Sequence, residues 1–264
     1  MHRSGTSVVT QWLHRCGLNI GTELVPAGVG NAEGHFEDTD FLEIHQQFLK
    51  TRKLPLSGFT SHSFGKMTGV EKQPFQSLVV DKSRQNSQWG WKEPRTCLFL
   101  DVYKELIPSA FYLVIVRDYN ATVNSMLSRE YATQEEKFRT KKGLSRLKWL
   151  LYKKKNKKGL FQKHATHYLE VWIHYYEKIL DHILSMQQDR YLVVRYSDVI
   201  KHDKMILHFL KEEWKFGLDY FPFNKIFKSE LLSKVENIDI YIKDRALLDR
   251  AKKIDHLIGQ LLSN

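Results

Sequence analysis

Two cysteines in 264 residues, Cys16 and Cys97, are too few for a disulfide framework, and they lack metal-ligand spacing. They point to a reducing, cytoplasmic setting. No His, Cys and carboxylate cluster has the spacing of a metal site, so no metal is expected. No apolar stretch approaches the roughly 18 residues that a membrane span needs. No secretory leader or internal repeat is visible. A Walker A loop, G-x-x-x-x-G-K-[ST], is missing as well, because Gly5 is followed by Thr6 and Ser7 with no lysine. Acidic residues are in short supply: 30 Asp and Glu against 41 Lys and Arg leave a net charge of +11. That balance favours an anionic partner, such as a nucleotide, an acidic glycan, nucleic acid or an anionic membrane surface. The shortage is most complete from Lys137 to Lys163, where twelve Lys or Arg residues stand without one Asp or Glu. Like charges repel, so this stretch reads as a solvated, mobile insertion. Two other readings stay open: a patch that holds an acidic acceptor, and a basic amphipathic helix carrying Trp149, Leu160 and Phe161.

Hydrophobic residues make up 42% and charged residues 27%, as in a soluble globular chain, and the length suits one domain with insertions or two small ones, read here as one domain over 1–264. Apolar spacing predicts helices over Val8–Cys16, Asp38–Lys50, Thr96–Leu106, Asn120–Arg129, His164–Met186, Val199–Leu210 and 244–262. Phe111–Val116 and Tyr191–Val194 are unbroken runs of β-formers, each read as a strand buried on both faces. Leu18-Asn19-Ile20 is a short extended candidate, and residues 51–80 carry little pattern. Strands alternating with helices argue for an α/β fold with a mainly parallel sheet, whose ligands sit at the carboxyl ends of the strands.

Four segments carry candidate chemistry. Met1-His2-Arg3-Ser4-Gly5-Thr6-Ser7 places a cation, a glycine and hydroxyls at the start of the first helix. Unpaired N–H groups and the positive helix end attract an anion there. Gly5 lets the backbone approach it, and Arg3, Thr6 and Ser7 add charge and donors. Arg117 follows the first buried strand, and Ser125 lies eight residues on, so a turn and helix could bring both to one phosphate. Trp89-Gly90-Trp91-Lys92-Glu93-Pro94-Arg95-Thr96 sets charges among aromatics before a helix start marked by Pro94. Arg195-Tyr196-Ser197-Asp198 follows the second strand, where Tyr196 either stacks on a base or is structural.

In this order the four segments resemble the sulfotransferase superfamily, bacterial branch, over residues 1 to about 210. These enzymes use 3′-phosphoadenylyl sulfate (PAPS). His2 to Ser7 looks like the 5′-phosphosulfate loop, so the resemblance implies PAPS contacts from Arg3, Ser4, Gly5, Thr6 and Ser7. Arg117 with Ser125 looks like the 3′-phosphate motif. Lys92-Glu93-Pro94-Arg95 is similar to a Lys-Asp/Glu-Pro-Arg block, and Arg195 to Asp198 to a late Arg-Tyr-Glu-Asp element that would place Tyr196 at the nucleotide. The implied fold is a three-layer, P-loop-type parallel sheet flanked by helices. The first, central strand of that sheet should precede His2 and is absent. The expectation is that the true start lies upstream, with two neighbouring strands left without a ladder partner. Tyr119 also stands where the family usually has proline.

The resemblance implies in-line transfer of a sulfuryl group from PAPS to a hydroxyl or amine, with no metal. Arg3 is expected on the leaving-group side. Glu37 is the expected base and His35 the second candidate, since Gly34-His35-Phe36-Glu37 matches a Gly-x-x-Glu of related enzymes. A first-turn carboxylate stabilising a helix start is the other reading of Glu37. Lys92 and Arg95 are candidate contacts to sulfate or acceptor. Positive charge and resemblance favour a glycan or glycolipid acceptor; a hydroxylated metabolite and a protein tyrosine stay open, and no specific nucleic-acid partner is expected. Two rival readings are a non-catalytic polyanion binder on a degenerate sulfotransferase fold and a P-loop small-molecule kinase.

Overall fold

A computed structural model of the chain describes residues 1–28, 34–141, 149–228 and 235–262. In chain order its main elements are α1 (Thr6–Arg15), α2 (Thr39–Thr51), α3 (Gly69–Gln85), α4 (Leu100–Leu106), β1 (Tyr112–Val116), α5 (Tyr119–Arg139), α6 (Lys153–Leu184), β2 (Tyr191–Arg195), α7 (Tyr196–Glu212) and α8 (Arg245–Leu261).

The two strands pair in parallel, with Tyr112 opposite Tyr191 and Val116 opposite Arg195. Side chains alternate across a strand, and here both sets are apolar. Tyr112, Val114, Val116, Tyr191 and Val193 pack into one core. Leu113, Ile115, Leu192 and Val194 pack into another. The first core is completed by Phe41 of α2, Phe75 of α3, Tyr103 of α4, Leu127 of α5, Trp172 of α6 and Leu248 of α8. The second is completed by Val9 and Trp12 of α1 and by Val199 and Leu207 of α7. Helices therefore cover both faces of a parallel sheet, which is a three-layer α/β arrangement. Among the described residues the sheet has two strands. The sequence reading left two strands without a ladder partner; instead β1 and β2 bond to each other.

Most expected elements are present, and the departures have local causes. α3 arises where the sequence carried little pattern. Only Phe75, Val79 and Lys82 of its side chains are buried, and Val70 and Val80 face water. What fixes it is a capping box in which Thr68 accepts from the Glu71 N–H and Glu71 accepts from the Thr68 N–H. Arg52 adds two bonds to the Glu71 carboxylate, at 2.7 and 2.8 Å. α6 begins eleven residues ahead of the expected His164, because Leu160 and Phe161 are buried and the lysines before them are good helix formers. The described part of the basic stretch is thus largely helical; residues 142–148 lie outside the described residues. The helix expected over Thr96–Leu106 is broken at Phe99 into a 3₁₀ turn, Pro94–Leu98, and α4. Leu18–Ile20 forms no strand and contributes a single bridge, Asn19 with Trp89.

Candidate active site

The first loop turns through two left-handed residues, Arg3 with φ of 61° and Gly5 with φ of 88°. A non-glycine residue there is strained and persists only where its surroundings hold it. Gly5 precedes α1, whose start has no side-chain cap and no acidic residue in its first turn. Its N–H groups are left facing the loop, which makes an anion-attracting helix end. The Tyr196 ring lies directly against Gly5, so any Cβ at that position would meet its carbons. The Ser4 hydroxyl is buried and donates to the carbonyl of Met1 at 2.8 Å, which leaves Ser4 only its backbone to offer a ligand. The Thr6 carbonyl accepts from the Thr10 hydroxyl at 2.8 Å.

The second segment closes on the first. Asp118 accepts from the Ala121 N–H at 2.8 Å and starts α5 right after β1. That tight cap brings Ser125, two turns into the helix, back toward the strand end. Arg3 Nε donates to Ser125 Oγ at 3.0 Å, and Arg117 Nη1 donates to the Arg3 carbonyl at 3.2 Å. Tyr176 of α6 fixes the Arg117 backbone, accepting from its N–H at 3.1 Å and donating to its carbonyl at 3.2 Å.

A third guanidinium, not singled out in the sequence, joins these two. Arg129 lies four residues after Ser125 and so on the same face of α5. Burial first, then Arg129 and Arg117, lowers the Arg3 pKa to about 10. Arg129 also lowers the pKa of His2 and of His35. Neither Arg117 nor Arg129 has a carboxylate within ion-pair distance among the described residues. The four-residue spacing from Ser125 was the available signal. Tyr196 is near the same charges: burial raises its phenol pKa, and Arg117 and Arg3 oppose the rise.

The third segment meets the first loop and the two candidate bases at Lys92. Its ammonium donates to Glu37 Oε1 at 2.9 Å, to the His35 carbonyl at 2.7 Å and to Ser7 Oγ at 3.1 Å. Burial lowers its pKa, and the Glu37 carboxylate opposes that. His35 Nδ1 is 3.8 Å from Glu37 Oε1. Its pKa is lowered by burial first, with Arg129, Lys92 and Arg3 adding to the effect against Glu37. Burial and these cations favour the neutral imidazole over the charged one.

Arg95 faces away from this cluster. It is 8% exposed, and its guanidinium bonds the Glu93 carboxylate and, through Nε at 2.7 Å, the Leu56 carbonyl. Glu93 in turn accepts from the Arg95 N–H at 2.8 Å and from His45 Nδ1 at 2.6 Å. Tyr103 donates to His45 Nε2 at 2.7 Å. Burial keeps His45 below its usual pKa, so one ring nitrogen donates while the other accepts. This buried chain ties the segment carrying Lys92 to α2 and α4. Among the described residues no group of three His, Cys, Asp or Glu could hold a metal ion, and no helix is long and apolar enough to cross a membrane.

A family model described as "Sulfotransferase family" matches residues 1–215. No curated protein matches. Among solved structures, a sulfotransferase domain from the curacin biosynthetic pathway is similar at 12% identity, covering 98% of this chain and 94% of that one, with a TM-score of 0.49.

Proposed function

This chain belongs to the sulfotransferase family, and on that premise we propose that it moves a sulfuryl group from PAPS to a hydroxyl or amine of an acceptor, a glycan or glycolipid. The observation that carries the reading is the 3.0 Å bond from Arg3 to Ser125, which joins the helix-start loop to the Arg117 segment. The residues suit a nucleotide with phosphates at both ends. An uncapped helix start meets the loop, and burial first, then Arg129 and Arg117, depress the Arg3 pKa.

The donor supplies the sulfuryl group and departs as 3′-phosphoadenosine 5′-phosphate. Arg3, the N–H groups of residues 4–7 and the Thr6 and Ser7 hydroxyls hold the 5′ end and stabilise charge developing on the departing phosphate. Arg117 and Ser125 hold the 3′-phosphate, and Tyr196 covers Gly5 beside the nucleotide. Glu37 takes the acceptor proton, with His35 the second base. Lys92 spans Ser7 and Glu37, so one ammonium faces both the sulfuryl oxygens and the base. Arg95 supports this group through Glu93.

Calorimetric titration of 3′-phosphoadenosine 5′-phosphate tests the reading. Charge-assisted bonds are worth about 1.5–3 kcal/mol, so Arg117→Ala is expected to weaken binding roughly ten- to a hundredfold. Equal affinity in both proteins would remove Arg117 from the site. The surplus of basic groups favours a second reading, a polyanion binder without transfer; that reading predicts steeply salt-dependent polyanion binding and none of the nucleotide.

A further inference from the structure

The lysines of the basic stretch are not equivalent. Lys153 pairs with Glu135 and Lys157 with Glu236. Lys155, Lys158 and Lys163 are exposed and have no carboxylate within ion-pair distance among the described residues. These three line an open cleft of about 680 Å³ between the end of α5 and the first turns of α6. Gln134, Asn156 and Gln162 complete much of its wall, and among the described residues no carboxylate lines it. Trp149 also lines it, with its indole N–H buried and without a partner among the described residues. The size falls within the roughly 300–1,000 Å³ of small-molecule sites.

The lining selects the chemistry of an occupant. Three ammonium groups without carboxylates call for anionic groups. Three carboxamides each donate and accept, which matches hydroxyls that do the same. A ring bearing several hydroxyls and a carboxylate or sulfate satisfies both, whereas an acidic peptide side chain uses only the ammonium groups.

A line of packed side chains on α6 runs from the cleft toward the candidate active site. His164 at its edge, Tyr168 and Tyr175 lie on one stripe of α6. Tyr168 donates to Glu130 at 2.7 Å, and His164 Nε2 is 3.6 Å from the same carboxylate. Glu130 is the neighbour of Arg129, and the Tyr175 ring is 6.2 Å from His2, next to Arg3. Eleven residues separate His164 from Tyr175, which is about 16 Å along the helix. A single sugar cannot occupy both ends of that path.

We propose that this cleft is an acceptor subsite that holds an acidic sugar residue of an oligosaccharide while another residue of the same chain presents its hydroxyl at the Arg3 loop. The proposal rests on the sulfotransferase reading for the reacting end, and the subsite is testable without it. Tetragalacturonate, maltotetraose and tetraglutamate are titrated into the wild-type chain, a Lys155→Gln/Lys158→Gln/Lys163→Gln variant and a Lys153→Gln/Lys157→Gln control. The expected result is that the wild type binds tetragalacturonate, at least about tenfold tighter than maltotetraose or tetraglutamate. The cleft variant should lose about tenfold or more in affinity, and the control should lose less than about threefold. Equal losses in the two variants would reduce the effect to overall charge and overturn the subsite. So would failure of the wild type to bind, and equal binding of tetraglutamate would overturn the sugar assignment. Titration of 3′-phosphoadenosine 5′-phosphate runs in parallel. The cleft variant should bind it as the wild type does. Loss of nucleotide binding in every protein, with tetragalacturonate still bound at the cleft, would sink the transferase reading alone.

Discussion

Replacing Gly5 by alanine attacks the candidate site at the point where geometry is least forgiving. Two separate costs arise. The backbone stands at φ of 88°, a conformation that costs an L-residue roughly 1–2 kcal/mol. The new Cβ would also lie 2.7 Å from Tyr196 Cγ and closer still to Cδ2 and Cε2. Inserting a methyl into a filled space costs about 1–3 kcal/mol as neighbours shift. The sum is about 2–5 kcal/mol, which for a chain of this size lowers Tm by roughly 4–20 °C. A double-mutant cycle with Tyr196→Ala separates the two costs, because removing the ring relieves the overlap and leaves the φ strain. Urea unfolding should show a favourable coupling of about 1–3 kcal/mol between the two changes. Nucleotide titration should show that Gly5→Ala loses affinity, since the alanine moves the loop that offers its N–H groups. Additive stabilities, within about 0.5 kcal/mol, would refute the argument that Tyr196 is what makes glycine necessary at position 5.

Other perturbations reach different parts of the molecule. Lys92→Met leaves the buried Glu37 carboxylate without its 2.9 Å partner; breaking such a pair costs about 3–5 kcal/mol, to be read from urea midpoints, and Lys92→Arg should recover part of it. Glu37→Gln should lower kcat for sulfuryl transfer by about 10²-fold or more while nucleotide affinity changes little; full turnover would pass the role to His35. Glu93→Gln should destabilise the chain by about 1–3 kcal/mol, because it replaces a buried carboxylate shared by His45 and Arg95. His182 gives a pH dependence. Burial lowers its pKa to about 4, its ring packs 4.4 Å from that of Tyr112, and neither ring nitrogen has a partner among the described residues. Its folded pKa is below the ordinary 6.5, so its contribution to stability is full above pH 6.5 and is lost as pH falls toward 4. At pH 5 the loss is about 2 kcal/mol, and His182→Phe should flatten the unfolding free energy between pH 7 and 5 by that amount.

Legibility in the sequence followed the range of the interaction responsible. β1 and β2 were readable because a strand buried on both faces needs an unbroken apolar run, and that requirement is local. α1, α2 and α8 were readable for the same reason, through their 3.6-residue period. α3 escaped because Phe75 and Val79 are nearly all it buries, and its stability comes from the Thr68 and Glu71 cap and from Arg52, seventeen residues before its first turn. The Thr-x-x-Glu of the cap was an available signal that went unread; the arginine offered none. The candidate site divides the same way. Each of its segments was visible as a strand end or helix start, since those positions expose backbone groups whatever the fold. Their pairing was not visible, because Arg3 meets Ser125 across 122 residues and Lys92 meets Ser7 across 85. Such contacts depend on how two cores seat helices on both faces of one sheet. Arg129 shows the cost of reading segment by segment: inside a helix it looks like any surface arginine, and only the return of α5 onto the Arg3 loop gives it a role. The same reasoning separates Lys92 from Arg95. Both stand in one eight-residue motif, yet one points to Ser7 and the other to Leu56, because the buried Glu93 and His45 between them fix which side each cation takes.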